Sequence, residues 1–288
     1  FDRLGQMDAH VRFRADSVQT EKVPLKAVAL DVTLREGILR LDPAVLTLPQ
    51  GRLRSTAVLD THPRPAAVSI DAHLDGVQLE QFRKKGASEA PLKGVLQSHA
   101  VVEGRGDSLH AVAASGHGQL TAVLPHGDIR EAFAELTGIN VLRGLGLLLG
   151  GPGKTAPIRC GVAQFTLDKG VARSDRILFD TENVAVEGQG RIEFGDESLH
   201  LDFTGHPKAV RLLRLRAPIN VRGTLSKPSI GIDAGGALRQ GGAAAALGAL
   251  TPLAAILAFV DRGLAKDEDC AALLAQAHED DRRDTRGR

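Results

Sequence analysis

From Arg159 to Ile232 apolar residues fall on every second position through one segment after another, and this alternation restricts the fold more than any other feature. Val184, Val186, Ile192 and Phe194 share one parity, as do Leu199, Leu201 and Phe203, while Glu187, Gln189, Arg191, Glu193, His200 and Asp202 lie between them. A period of two sends successive side chains to opposite faces of a strand. Each segment therefore has one apolar and one wetted edge, the pattern of a half-buried antiparallel sheet. Gly188, Gly190, Gly195 and Asp196 punctuate the runs. Such a sheet offers a broad apolar face that something has to cover, and whether the cover is protein or lipid is the functional question.

The same pattern starts near the first residue. Met7, Ala9, Val11, Phe13 and Ala15 alternate with Asp8, His10, Arg12, Arg14 and Asp16; Val28, Leu30, Val32 and Leu34 repeat it after Pro24. Glu36-Gly37 turns the chain back into Ile38 to Leu41, and Leu53 to Leu59 and Val68 to Leu74 follow. Strands so closely spaced join as hairpins, which predicts a meander. Val77 to Ser88 lose the alternation and carry Arg83, Lys84 and Lys85, predicting a helical turn or exposed loop. Gly, Ala and His dilute the apolar face from Leu92 to Leu124, predicting an edge or a tightly curved region.

At Asp128 the period changes. Ile129, Ala132, Phe133 and Leu136 are three and four apart and Asp128 stands at an N-cap position, so a helix is predicted, with a second apolar piece from Val141 to Leu149. Further helices are predicted over 243–263, kinked at Pro252, and over Cys270 to Ala277, before a charged, disordered tail. The expected fold is mainly β with helical insertions: an extended, curved antiparallel β-meander sheet with one apolar face, capped by short helices. The expected divisions are an N-terminal meander (1–126), a helical insertion and linker (127–154), a C-terminal meander (155–233), C-terminal helices (234–277) and the tail (278–288).

Several function classes lose support. With 36 basic against 35 acidic residues there is no electrostatic footprint for nucleic acid, and with 9 Phe but neither Trp nor Tyr there is little for bases to stack on. The apolar run Ala243 to Val260 is mostly Ala and contains Pro252, so it reads as a helix packed on the sheet rather than a membrane span. Gly106-Asp107-Ser108-Leu109 matches a lipase-like nucleophile motif, but it lies between short strands and reads as a turn. Gly150 to Thr155 resembles a phosphate-binding loop, yet Leu148 occupies the first Gly position and Pro157 opposes the required helix. None of the 10 His is spaced with Cys or another His as metal ligands are. No catalytic residue, metal site or cofactor is therefore expected. Cys160 and Cys270 could be two buried thiols, but in an oxidising compartment an even pair in an otherwise Cys-free chain favours a disulfide between them, which is the expectation.

Taken together, Ile158-Arg159-Cys160, Asp168 to Val171, Phe179-Asp180-Thr181, Gly188-Gln189-Gly190-Arg191-Ile192, Pro207-Lys208, Ala217-Pro218-Ile219, Gly223-Thr224, Pro228, Thr251-Pro252-Leu253-Ala254 and Cys270 resemble the C-terminal region of AsmA-family envelope proteins. Asp42-Pro43 and Gly51-Arg52-Leu53 fit the same pattern, and the resemblance covers roughly residues 5–275. It implies a periplasmic protein tethered to the inner membrane by an N-terminal anchor upstream of this sequence, which begins at Phe1 without an initiator Met. It also implies a relation to bridge-like lipid-transfer proteins and a part in outer-membrane biogenesis. The expected partner is phospholipid or another envelope lipid, held in an apolar β-groove that includes Val11, Phe13, Leu30, Val32, Phe194, Leu201 and Phe203. The alternative is a non-catalytic assembly module that contacts envelope proteins while its own helices fill the apolar face.

Overall fold

Hairpin turn chemistry sets the direction of the chain. At Glu36-Gly37 and again at Lys169-Gly170 two consecutive residues have positive φ (47° and 74°, then 49° and 75°), the conformation whose twist matches that of two antiparallel strands. A computed structural model describes residues 7–18, 25–82, 92–130, 155–208, 219–232 and 265–286. The strands are β1 (Ala9–Ala15), β2 (Ala27–Arg35), β3 (Ile38–Thr47), β4 (Arg52–Asp60), β5 (Ala67–Gln78), β6 (Leu92–Arg105), β7 (His117–Leu124), β8 (Gly127–Arg130), β9 (Thr155–Asp168), β10 (Val171–Thr181), β11 (Val184–Glu193), β12 (Ser198–Pro207), β13 (Ile219–Thr224) and β14 (Lys227–Ile232).

All of them belong to one 14-stranded antiparallel sheet in sequence order. The segments read as two meanders join where β9 pairs with both β7 and β8. Against β9 those two short strands keep one register, Leu124 opposite Gly161 and Gly127 opposite Ile158, so β8 continues β7 across a two-residue break.

Pairing on both sides decides two places where the local pattern pointed elsewhere. Asp128 and Ile129 are bonded into β6 and β9, so they form a strand and not the start of a helix; the rest of the expected insertion, 131–154, lies outside the described residues. The diluted strands β6 and β7 lie in the middle of the sheet and not at its edge. Their small residues suit close packing, since a Cβ on Gly118 would run into the carbonyl oxygen of Val101.

The helices are few among the described residues. A 3-10 turn covers Leu79–Phe82, where a turn or loop was expected, and Val77 before it belongs to β5 and is wholly buried. Helix α1 spans Leu109–Ala114, and helix α2 spans Cys270–Arg286. Asp269 starts α2 by accepting the Ala272 N–H at 3.0 Å. The helix then runs on through the charged tail that was expected to be disordered, because extending an anchored helix costs far less than nucleating one. The helix expected over 243–263 lies outside the described residues.

Candidate functional site

Register carries the alternation of single strands into a surface. Starting at Val11, the directly opposed residues run Val32, Leu41, Ala57, Ile70, Val102, Gly118, Leu167, Ala172, Ile192, Leu199, Gly223 and Pro228, one from each strand on the path. No charged or hydrogen-bonding side chain interrupts the row. Its twelve inter-strand steps of ~4.8 Å extend it over ~58 Å. Neighbouring rows on this front face include Phe13 opposite Leu30 in one and Phe203 opposite Ile219 in another.

The row is open at both edges of the sheet, at Val11 and again at Gly223 and Pro228, and half-buried or buried between them. Val11 is 54% and Phe13 48% exposed, and Leu30, Val32, Leu201 and Phe203 are half-buried, while Ile177 and Leu199 are buried. At Gly188 an added Cβ would come within 2.8 Å of both Ile177 and Phe203, so the missing side chain lets those two lie across the strand. Six of the seven residues expected to line a groove stand on this face. Phe194 is the exception to the ladder: it lies in the turn after β11 and donates its N–H to Gly170 at 2.9 Å.

Helix α2 packs on the other side. Cys270, Leu273, Leu274 and Ala277 lie at helical spacing, and Leu273 and Ala277 join Val123, Cys160, Val162 and Leu178 in a buried cluster. Val123 opposes Val162 and Val162 opposes Leu178, all on the parity opposite to Ala122, Ala163 and Phe179. Helix α2 thus packs on the back face, while the short helix α1 meets the front face only at the end of β6, where a Cβ on Gly104 would come within 3.1 Å of the Val112 side chain.

A covalent and ionic clasp fixes it there. Cys160 and Cys270 are joined in a disulfide with Cα atoms 5.7 Å apart, across a sequence separation of 110. Beside it Asp180, opposite Cys160 in the ladder, is fully buried and takes Arg159 Nη1 at 2.9 Å. Asp180 Oδ1 accepts no well-directed hydrogen bond and is held instead by the Lys208 ammonium at 2.6 Å as an ion pair. Both cations also reach Asp267 at 2.7 Å, and the Glu268 N–H points to Asp180 Oδ2 at 3.3 Å. The hydrogen bond from Lys208 is the main reason that the Asp267 carboxyl is held below the ordinary range, against an opposing desolvation effect.

The two nucleotide- and ester-like motifs have other roles or contexts. Ser108 caps α1, its Oγ accepting the Ala111 N–H at 3.1 Å. Ser108→Ala is accordingly expected to cost about 1 kcal/mol in a denaturant melt; an esterase activity lost with Ser108→Ala would restore the nucleophile reading. Thr155, the last residue of the phosphate-loop look-alike, opens strand β9 where such a loop needs a helix. Among the described residues, Asp71, His73 and His99 form the group able to hold a metal ion. Sequence spacing missed it because the two histidines meet across β5 and β6 and are far apart along the chain.

A single antiparallel sheet with one continuous apolar row on its front face and α2 packed on the other defines a β-meander scaffold class of architecture. The model of the AsmA family matches residues 1–177. The chain belongs to the AsmA family. It is also similar to the AsmA family protein YhjG of Escherichia coli (strain K12), 28% identical over 278 residues; the match covers 96% of this chain and 40% of that protein. The chain therefore spans well under half the length of that relative. No solved structure matches it. No helix among the described residues is long and apolar enough to cross a membrane.

Proposed function

We propose that the front face is a groove that binds or conducts phospholipid between membranes, in a periplasmic body tethered to the inner membrane and serving outer-membrane biogenesis. The observation that supports this reading most is the apolar row running from β1 to β14 while α2 packs behind the sheet. An apolar surface of this extent marks a binding face, and acyl chains are the ligands whose length and lack of polarity it matches. The polar back face would keep the body in water. The reading assigns the chain no chemical step.

Photo-crosslinking tests it. With a photoreactive side chain at Phe13 or Phe203, crosslinks to phospholipid are expected, and Val32→Asp or Leu201→Asp should abolish them while a cooperative melt persists. Both positions are half-buried, so in an open groove the carboxylate keeps its water. In a closed core the same change would bury an unpaired charge and cost several kcal/mol. Unfolding of both Asp variants, or no lipid crosslink at any front-face position, would leave the assembly-module reading in its place.

A further inference from the structure

We propose that Asp71, His73 and His99 form a binding site for a zinc-like divalent transition-metal ion on the back face of the sheet. The inference is independent of the lipid groove. Asp71 and His73, two residues apart on β5, project from one face, and His99 on β6 is directly opposite His73. Directly opposed residues of an antiparallel pair bring their Cβ atoms within ~5.5 Å, a distance that two imidazoles fill. Here the rings stack with centroids 3.7 Å apart and planes 9° from parallel. The Nε2 atoms of His73 and His99 lie 3.1 and 3.0 Å from the same oxygen, Asp71 Oδ1.

Those separations suit a small cation. An ion about 2.0–2.1 Å from each of two nitrogens and an oxygen in tetrahedral geometry sets its ligand atoms ~3.3 Å apart. The two N–O distances need to open by only a few tenths of an ångström, and the imidazoles need to tilt from the stack so that their lone pairs converge. The access is graded: the His99 side chain is 6% exposed and positioned by its surroundings, while those of His73 and Asp71 are 46% and 41% exposed, so water and ions reach the site. Two imidazoles and one carboxylate select a borderline ion such as Zn2+ over the oxygen-seeking Ca2+ or Mg2+, and leave a position for water. Arg54, opposite His73 on β4, is the flanking cation against which the ion has to compete.

Two other histidine–carboxylate pairs, one on the back face and one at the β4–β5 connection, supply the internal control. His10 with Asp31 and His62 with Asp60 each bring one imidazole to one carboxylate. A single-histidine site holds such ions more weakly than a pair, and the disulfide removes both thiols from competition. The experiment is a calorimetric titration of the whole chain with Zn2+, paired with imidazole NMR signals. The expected result is saturable binding of one equivalent that shifts the His73 and His99 signals. His73→Gln, at a half-exposed position, should weaken it at least about tenfold while the metal-free melt is unchanged, and His10→Gln should leave binding intact. Absence of a one-equivalent saturable phase, signals moving at other histidines instead, or equal affinity in His73→Gln and the unmodified chain would each overturn the proposal.

Discussion

Replacing both Cys160 and Cys270 by Ala is expected to cost the chain up to ~4–5 kcal/mol, the chain-entropy value for closing a loop of about this length. For a body of this size that lowers the melting temperature by roughly 10 °C or more. The loop it closes, across a sequence separation of 110, includes strands β10 to β14, so the bridge restrains a large share of the unfolded chain. The loss should also be local in the folded state. Helix α2 meets the sheet through the cluster around Cys160, Val162 and Leu178, and hydrogen exchange should show its amides opening before those of β2 to β5, which take no part in that cluster. An unchanged melt, together with full protection of α2 in the double variant, would show that packing alone holds the helix.

The second large effect belongs to Asp180. This carboxylate is fully buried between Arg159 and Lys208, and its partner Lys208 has a side chain only 9% exposed. Asp180→Ala leaves the ammonium with Asp267 alone, an acceptor 66% exposed, and a buried ion pair broken on one side costs about 3–5 kcal/mol. Asp267→Ala should cost far less, because a solvent-facing carboxylate contributes little. A chemical melt of the two variants tests this ranking, and equal losses would remove Asp180 from the centre of the clasp. The pH dependence has a definite sign. Asp267 has a lowered folded-state pKa, so its contribution is present above its ordinary value of 3.8 and fades as pH falls through the lowered one. A small loss of stability is therefore expected at the acid end of a titration, with α2 still tethered by its disulfide.

The clasp also shows what a resemblance built on scattered residues carries. Arg159-Cys160, Asp180, Lys208 and Cys270 are recognisable in the sequence only as separate short motifs, on β9, β10, the end of β12 and α2. Folding gathers them into one knot behind the sheet. Their adjacency has no local signature, because it arises from pairing β9 with β10 and from docking a helix more than a hundred residues further along.

The faces of the sheet, by contrast, are legible residue by residue. Alternation is a property of neighbours two apart, so Val11, Phe13, Leu30, Val32, Leu201 and Phe203 could be placed on one apolar surface before any strand was paired. Closely spaced strands also determine the meander, since short connections join only antiparallel neighbours. Tertiary structure alone decided the rest. It made Asp128 and Ile129 a strand, because pairing on two sides outweighs a three-and-four spacing shared with a helix. It set His73 against His99 through register between strands, and it placed α2 on the back face, where Val123, Val162 and Leu178 interrupt the polar parity. Periodicity is written locally, whereas register and docking depend on free energies summed over contacts that exist only in the folded chain.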